Sequence, residues 1–324
     1  MPVLLFAENA QGTFRKPVFE AATYGYDLAK TLGTHLIAVS VGPVKEDELE
    51  KLGNYGVSEV YKIEDARLNS FVNTAFAAAV IKTAQDTGSD IIVMSQTYHG
   101  RAVAPRVAAR LDATPYSGVI SLADAANGFD VRRFSYSGKG VEELKSARSK
   151  IVITVKTNGY KVEENPVTIS IRSGNYSPSN DDIDLVAREL VKASEGVSLT
   201  EAEVVVSAGR GMKGPENWGM IEELAGLLGA ATACSKPTAD MGWRPHHEHV
   251  GQTGIQIAPN LYIAIGISGA IQHLAGVSSS KNIVVINKDS EAPFFKIADY
   301  GVIGDLFEVV PRLIEEIKKI KIAS

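Results

Sequence analysis

The stretch Leu261-Tyr-Ile-Ala-Ile-Gly-Ile-Ser-Gly-Ala-Ile-Gln-His273 decides the fold of the C-terminal part of this chain. Its first residues, Leu261 to Ile265, are all apolar, as in a short strand buried on both faces. Gly266 and Gly269 then allow a turn that opens a helix, whose free amides and positive dipole end favour phosphate oxygens. The pattern predicts a site for a ligand with a phosphate and a redox ring, although an ordinary strand, turn and capped helix is the alternative. Three polar side chains would face that ligand: Ser268, Gln272 and His273.

A second strand and turn lie upstream of this stretch. The apolar run Val204 to Ser207 precedes Gly209-Arg-Gly-Met-Lys-Gly214 and a helical pattern from Glu216 to Leu228. The spacing fits the dinucleotide fingerprint G-x-G-x-x-G, which also expects an acidic residue at the end of the next strand. Here that strand, Ala230 to Cys234, ends in Ser235-Lys-Pro237. Because a lysine cannot accept a hydrogen bond from a ribose hydroxyl, the usual NAD site is not supported.

Further motifs follow in the C-terminal third. They are Val250-Gly-Gln-Thr-Gly254, Ile286-Asn-Lys-Asp289 and Ala298-Asp-Tyr-Gly301. Together with Gly209-Arg-Gly211, Ser235-Lys-Pro237 and Gly266-Ile-Ser-Gly-Ala-Ile-Gln-His273, they resemble the alpha subunit of electron transfer flavoprotein and stand in that family's order. The N-terminal part resembles the family more loosely, in its length and its alternation of strands and helices.

The resemblance implies an FAD-containing electron carrier. Its FAD would be held mainly by the C-terminal domain, and a smaller beta subunit, which holds AMP or a second FAD, would complete a heterodimer. Such a complex accepts electrons from dehydrogenases, for example acyl-CoA dehydrogenases, and passes them to a quinone reductase or another acceptor. The chain would then transform no substrate of its own and would not be an enzyme.

The resemblance also implies roles for individual residues in binding FAD. His273 would face the pyrimidine edge of the flavin, where a cation or hydrogen-bond donor stabilises the charge gained on reduction. Thr253 would offer its hydroxyl to the central ring nitrogen, and Arg210 would reach a phosphate or lie along the ring. The segment from Ser268 to Gln272 would hold the diphosphate and the ribityl chain. The remaining residues predicted to bind the cofactor are Ser235, Lys236, Val250, Gly251, Gln252, Gly269, Ala270, Ile271, Asn287, Asp305 and Leu306.

Several of these residues also fit structural roles. The segment Gly251 to Gly254 reads as a simple turn, and His273 as a helix histidine with an internal partner. Asn287, Asp305 and Leu306, which fall where the family contacts the adenosine half, are equally suited to strand ends or helix caps.

Lys236 departs from the commonest family pattern, which has arginine after the serine. An ammonium group keeps the positive charge but cannot stack on a ring or form the two-pronged contact of a guanidinium. The sequence therefore leaves open whether this position tunes the flavin as arginine does.

The loop Trp243-Arg-Pro-His-His-Glu-His249 contains zinc-type ligands. Its histidines, His246, His247 and His249, fit neither a helix-borne pair nor a zinc finger, so a polar loop near the flavin is favoured over a metal site. Cys234 has no second cysteine to pair with, ends an apolar strand, and is expected to be buried.

Composition favours a cytoplasmic protein. The chain has 324 residues, one cysteine and a formal net charge of -5, which suit two sizeable cores without disulfides and speak against nucleic acid as a partner. The apolar start, Met1 to Ala7, reads as a first strand and not as a signal peptide. No apolar run reaches the roughly 18 residues of a membrane span.

The N-terminal part alternates strand and helix patterns, which predicts a mainly parallel sheet flanked by helices. Apolar runs at Val3 to Ala7, His35 to Val41, Glu59 to Ile63 and Ile91 to Ser95 alternate with helical patterns such as Pro17 to Leu32 and Ser70 to Thr87. Four later runs lack long helices between them and are expected to extend the sheet in antiparallel fashion: Gly118 to Leu122, Val131 to Tyr136, Ile151 to Lys156 and Val167 to Ile171. Gly100 to Arg110 is predicted to be a helix that covers the sheet, with a weak alternative as an anion site.

The predicted fold is therefore α/β with two domains, each a mainly parallel sheet flanked by helices. Residues 1–195 would form the partner-contacting domain, and residues 196–324 the nucleotide (FAD)-binding domain, after a helix from Ile183 to Ser194. A closing helix is predicted from Leu306 to Ile322. Three alternative functions stay open: an NAD-using enzyme, an electron-bifurcating flavoprotein subunit on the same fold, and a non-catalytic nucleotide-binding scaffold.

Overall fold

The structure, a computed structural model, describes residues 1–125, 128–183 and 198–323. Within these residues the chain folds into two compact units. The first comprises Met1–Ser135 and the residues from Gly140 to the gap before residue 198, and the second comprises Tyr136–Lys139 and the residues after that gap. The predicted helix from Ile183 to Ser194 and the predicted junction at Gly196 lie outside the described residues, apart from Ile183 itself.

The first unit alternates strands and helices as the sequence predicts. Its strands are β1 (Val3–Phe6), β2 (Asn9–Ala10), β3 (Thr13–Phe14), β4 (Leu36–Val41), β5 (Val57–Ile63), β6 (Ile91–Ser95), β7 (Thr114–Val119), β8 (Val131–Ser135), β9 (Gly140–Leu144), β10 (Ile151–Val155) and β11 (Ser170–Ser173). Its helices are α1 (Lys16–Thr31), α2 (Glu46–Glu50), α3 (Asn73–Thr87) and α4 (Tyr98–Leu111).

The main sheet of this unit has the order β11-β5-β4-β1-β6-β10-β7-β8-β9 in the described residues, with β2 and β3 forming a small separate hairpin. The prediction that the later strands are antiparallel is wrong for β7, β10 and β11, which run parallel to the main strands of the sheet. β10 lies between β6 and β7 and is parallel to both, and β11 is parallel to β5. The prediction is confirmed for β8, which runs antiparallel to its neighbours β7 and β9. β9 is antiparallel to β8 and therefore ends at the same edge of the sheet as β7, so residues 145–150 carry the chain back before β10 begins parallel to β7.

Apolar side chains on both faces of this sheet form its two cores. β1, β4, β6 and β10 are buried along their whole length, because helices or loops cover both faces. α4 is one of the covering helices, as predicted for Gly100 to Arg110, and it packs Val103 and Val107 onto the sheet.

The second unit has a five-stranded, fully parallel sheet. Its strands are β12 (Val204–Ala208), β13 (Ala231–Cys234), β14 (Leu261–Ile265), β15 (Asn282–Asn287) and β16 (Tyr300–Ile303). Its helices are α5 (Gly219–Leu228), α6 (Lys236–Asp240), α7 (Ile271–Val277) and α8 (Leu306–Ala323). The strand order is β13-β12-β14-β15-β16, and every neighbouring pair is parallel.

This order makes β12 and β14 neighbours although β13 lies between them in sequence. The chain leaves β12 toward one edge of the sheet, and after β13 it crosses to the other side, so β12 and β14 flank a topological switch point. In open parallel sheets the ligand binds in the crevice at the carboxyl ends of the strands at such a point. The fold thus specifies where a nucleotide site belongs before any side chain is considered.

Both faces of the second sheet are covered. α5 and α8 pack Ile221, Leu224 and Val310 on one face, and Val250, Val277 and Phe294 cover the other. None of the helices in the described part of the chain combines the length and the apolar character of a membrane span.

Candidate functional site

The carboxyl ends of β12 and β14 lie in close contact at the switch point. The amide of Gly209 donates to the carbonyl of Ile265 at 3.0 Å, and the amide of Gly211 donates to the carbonyl of Gly266 at 3.0 Å. A Cβ atom added to Gly211 would lie 2.6 Å from the Cα of Gly266, so only glycine allows this approach. Gly209 and Gly211 therefore bring two backbone turns together at the mouth of the crevice.

A pocket of about 1010 Å³ opens at this edge of the sheet. Residues that follow each of the five strands line it, as expected for a cofactor that lies across the carboxyl ends of a parallel sheet. The predicted site residues that line this pocket are Arg210, Ser235, Lys236, Val250, Gly251, Gln252, Thr253, Ser268, Ala270, Gln272, His273, Asn287, Asp305 and Leu306.

Two predicted site residues do not line the pocket. Gly269 adopts a positive φ of 83° and lies against Phe294, where an added Cβ would be 2.6 Å from the backbone nitrogen. Ile271 is the first residue of α7, and its side chain is exposed. The helix after β14 thus begins later than the sequence predicts, and Ser268 lies in the preceding turn.

Four cationic side chains line the pocket: Arg210, Lys213, Lys236 and Lys288. Three carboxylates accompany them: Asp240, Asp289 and Asp305. The ammonium group of Lys213 lies 4.7 Å from the ring centroid of Phe307 and is held there by a cation–π contact. Lys213 and Lys288 were not predicted as site residues. Both lie in motifs that directly follow strands, and this position in the sequence could have indicated that they line the pocket.

Gln252 and Thr253 have exposed side chains within a fixed backbone turn. The amide of Gln252 donates to the carbonyl of Gln272 in α7 at 2.7 Å, and the amide of Gly254 donates to the carbonyl of Gly251 at 3.2 Å. Thr253 therefore combines a rigid backbone with a side chain that is open to the pocket.

His273 is deeply buried and hydrogen-bonds the hydroxyl of Tyr262, with 2.8 Å between that oxygen and Nε2. Burial lowers the pKa of His273 to about 4, with the neighbouring His249 acting in the same direction and the backbone of Val250 opposing. Because the ring is neutral at neutral pH, it can act toward a cofactor as a dipole or a hydrogen-bond donor but not as a cation. Its Nδ1 atom is buried and makes no hydrogen bond with any described residue.

Asn287 and Asp305 combine pocket positions with structural hydrogen bonds. The amide group of Asn287 donates to the carbonyl of Ile267 at 3.0 Å and accepts from the amide of Asp289 at 3.1 Å. The carboxylate of Asp305 accepts from the amide of Phe307 at 2.9 Å at the start of α8. These contacts match the strand-end and helix-cap roles that the sequence left open, and both residues also line the pocket.

The histidine-rich loop separates into two parts. His246 and His247 are exposed, whereas His249 is buried and lines the pocket. Among the described residues there is no group of histidine, cysteine and carboxylate side chains that would hold a metal ion. Cys234 is buried as expected, and burial raises the pKa of its thiol to about 11, so the thiol is unreactive at neutral pH.

The pocket fits an FAD. Its volume is at the upper end of the roughly 300 to 1,000 Å³ range of ligand pockets, which suits a dinucleotide. Its cations suit a diphosphate, and its exposed amide and hydroxyl groups suit the ring and ribityl oxygens.

Comparison with known proteins gives matches over both units. A family model described as the electron transfer flavoprotein FAD-binding domain matches residues 198–278, and one described as the electron transfer flavoprotein domain matches residues 3–179. The electron transfer flavoprotein subunit alpha of Bacillus subtilis (strain 168) is 36% identical over 99% of this chain and 99% of that protein. The protein of the same name from Syntrophomonas wolfei is 36% identical over 97% of this chain and 98% of its own length. The one from Paracoccus denitrificans is 39% identical over 97% of this chain and 99% of its own length.

Proposed function

The chain belongs to the electron transfer flavoprotein alpha subunit family, with FAD as its cofactor, and we propose that FAD lies in the pocket across the carboxyl ends of β12 to β16. One observation carries this proposal. A pocket of about 1010 Å³ gathers cations, hydroxyls and amides from all five strand ends, next to the switch point of the sheet.

The bound FAD supplies the redox chemistry, because its flavin ring accepts and releases electrons. In the proposed arrangement Arg210 and Lys213 neutralise the diphosphate from the turn after β12. The segment from Ser268 to Gln272 surrounds the diphosphate and the ribityl chain with backbone amides and polar side chains. Asn287 and Asp305 contact the adenosine half while they keep their structural hydrogen bonds.

Thr253, His273 and Lys236 surround the flavin ring in this proposal. The turn from Gly251 to Gly254 holds the Thr253 hydroxyl in place for the central ring nitrogen. His273, kept neutral by burial, is oriented by Tyr262 and offers a dipole without a full charge. Lys236 supplies a positive charge that stabilises the electron-rich reduced ring by Coulomb attraction.

The family is one of electron carriers, and we infer that this chain turns over no substrate itself. Its proposed partner is an electron transfer flavoprotein beta subunit, which forms the heterodimer and holds AMP or a second FAD. Dehydrogenases such as acyl-CoA dehydrogenases would supply electrons, and a quinone reductase or another acceptor would receive them. The buried, unreactive Cys234 is compatible with the reducing cytoplasm, which is the proposed location.

The test uses the two-subunit complex loaded with FAD. We expect a flavin spectrum that bleaches when a reduced acyl-CoA dehydrogenase is added, with no product formed by the complex alone. Arg210→Ala, which removes a pocket cation, should release FAD on dialysis, whereas Lys281→Ala, an exposed cation outside the pocket, should retain it. Equal retention of FAD by the Arg210→Ala and Lys281→Ala complexes would contradict the proposed contact between Arg210 and the diphosphate. Failure to bleach would contradict the proposed electron donor.

A further inference from the structure

His249 lies in the pocket wall although it belongs to the histidine-rich loop. Its side chain is 8% exposed and lines the pocket, whereas His246 and His247, in the same short turn, are exposed to solvent. The sequence offers no reason to distinguish the three histidines. The fold does so, because the chain enters an extended conformation at His249 and pairs with the end of β13.

The backbone of His249 is fixed on both sides. Its carbonyl accepts a hydrogen bond from the amide of Ile255 at 2.9 Å, and the next amide, that of Val250, donates to the carbonyl of Cys234 at 3.1 Å. The preceding residue, Glu248, is held by Arg244, with 2.6 Å between a guanidinium nitrogen and a carboxylate oxygen. The imidazole therefore has a defined position and does not swing with the loop.

The His249 ring packs against the turn that carries Thr253. A Cβ added to Gly254 would lie 2.8 Å from Nδ1 of His249, and one added to Gly251 would lie 3.3 Å from Nε2. The imidazole occupies the space that side chains at these two positions would need. Both its nitrogens thus lie beside the turn proposed to contact the flavin ring.

His249 and His273 are adjacent imidazoles with different surroundings. His273 is deeply buried, with Nε2 engaged by Tyr262, so its proton state is fixed. His249 lines the pocket, and within the part of the chain that the structure describes no residue hydrogen-bonds either of its ring nitrogens. Of the two, His249 is the imidazole that can take up a proton without breaking a hydrogen bond to a described residue.

The pKa of the His249 imidazole depends on the charges around it, so an added negative charge in the pocket would change its protonation. Burial lowers the pKa of His249, Asp240 opposes this effect, and Lys236 and His246 add to it. His249 is therefore neutral at neutral pH while the pocket carries no extra negative charge. The titratable groups that act on it belong to its own loop, to α6 and to α7: His246, Lys236, Asp240 and His273.

We propose that His249 is the group that takes up a proton when the bound FAD gains negative charge. The inference rests on the proposed location of FAD in this pocket. An electron delivered by the reduced partner protein adds one negative charge beside the imidazole, and one proton moves from bulk water onto a ring nitrogen of His249. When the electron leaves for the acceptor, the proton returns to water, and no other bond is made or broken. A unit negative charge in the same partly buried pocket favours the protonated imidazole strongly. The proton affinity of His249 should therefore rise tenfold or more when FAD is reduced.

The experiment measures the midpoint potential of FAD in the two-subunit complex across about pH 5.5 to 8, the range in which histidines titrate. Three proteins are compared: wild type, His249→Gln, and His247→Gln as a matched control from the exposed part of the loop. In wild type the potential should become more negative with rising pH, because proton release removes part of the stabilisation of the reduced state. In His249→Gln we expect the slope of potential against pH to fall by the equivalent of up to one proton per electron. In His247→Gln the slope should equal that of wild type.

A second readout follows His249 itself. Imidazole ¹⁵N spectra of the oxidised and the dithionite-reduced complex, assigned with His249→Gln, should show its pKa rising by one unit or more on reduction. Equal slopes in wild type and His249→Gln with a normal flavin spectrum, or equal His249 pKa values in both redox states, would overturn this inference and leave the FAD site intact. A complex without a flavin spectrum would overturn both proposals.

Discussion

At the scale of single residues, the buried pair of Tyr262 and His273 makes stability depend on pH. The folded-state pKa of His273 is about 4, below the ordinary value of about 6.5 expected after unfolding. The unfolded chain therefore binds the proton more readily, and stability that is fully present above pH 6.5 is lost as pH falls toward 4. The loss from this residue should approach about 3 kcal/mol.

Urea unfolding of the complex at pH 7 and pH 4 measures this contribution. His273→Gln removes the titrating ring, so we expect the variant to lose that part of the acid sensitivity, even if it is less stable than wild type at pH 7. The same difference in unfolding free energy between the two pH values in both proteins would show that His273 is not held neutral.

Lys236 is the residue at which arginine is the commoner choice in the family. Lys236→Gln removes a charge from the pocket and should weaken FAD binding by about tenfold, since a unit charge about 4 Å from an anionic group contributes on the order of 1 to 4 kcal/mol near a protein surface. Lys236→Arg keeps the charge and adds a planar fork of donors, so it should bind FAD at least as tightly as wild type. FAD fluorescence on dilution gives the affinities, and Lys281→Gln is the control outside the pocket. A Lys236→Gln complex with unchanged affinity would exclude this contact.

The residues of the pocket were largely predictable, but their charge states were not. Arg210 and Ser268 stand in turns directly after β12 and β14, and Thr253 was assigned through the resemblance to the flavoprotein family; all three line the pocket. The neutrality of His273 depends on its burial and on the neighbouring His249, which no local pattern encodes. The pocket position of His249 was missed because this residue differs from its histidine neighbours only in the direction that the backbone gives it.

At the scale of elements, the contact between the turns after β12 and β14 shapes the pocket mouth. Gly211→Ala would place a Cβ 2.6 Å from the Cα of Gly266, and because that contact is with backbone, the turns must separate. We expect a loss of unfolding free energy of about 1 to 3 kcal/mol and weaker FAD binding.

The matched control is Gly226→Ala in α5. A Cβ at this position has no neighbour within 4 Å, and alanine stabilises a helix interior by about 0.5 to 1 kcal/mol over glycine. Chemical denaturation and FAD retention on dialysis measure both variants. Equal behaviour of the two would show that the close approach of the turns does not shape the site.

The sequence predicted the elements better than their pairing. Apolar runs identified β1, β6 and β14, because strands buried on both faces have no polar positions. The direction of β10 was mispredicted because adjacent strands without a helix between them usually form hairpins. Here residues 145–150 carry the chain back after β9, and the fully buried side chains of Ile151–Val155 favour an interior position between β6 and β7.

At the scale of the whole molecule, two α/β units share one chain, and the second gathers its functional groups at the carboxyl edge of one parallel sheet. If that edge holds FAD, free FAD must stabilise the folded complex against unfolding. At a free FAD concentration of about 100 times its dissociation constant, the stabilisation should be about 2.7 kcal/mol. Thermal unfolding of the complex at increasing FAD concentration measures it, and a melting temperature that does not change with FAD would contradict binding to the native state.

A crystal structure of the two-subunit complex saturated with FAD would show directly where the cofactor lies. We expect FAD across the ends of β12 to β16, with its diphosphate beside Arg210 and Ser268 and its flavin ring beside Thr253 and His273. An FAD found elsewhere on the complex, with this pocket filled only by water, would contradict it.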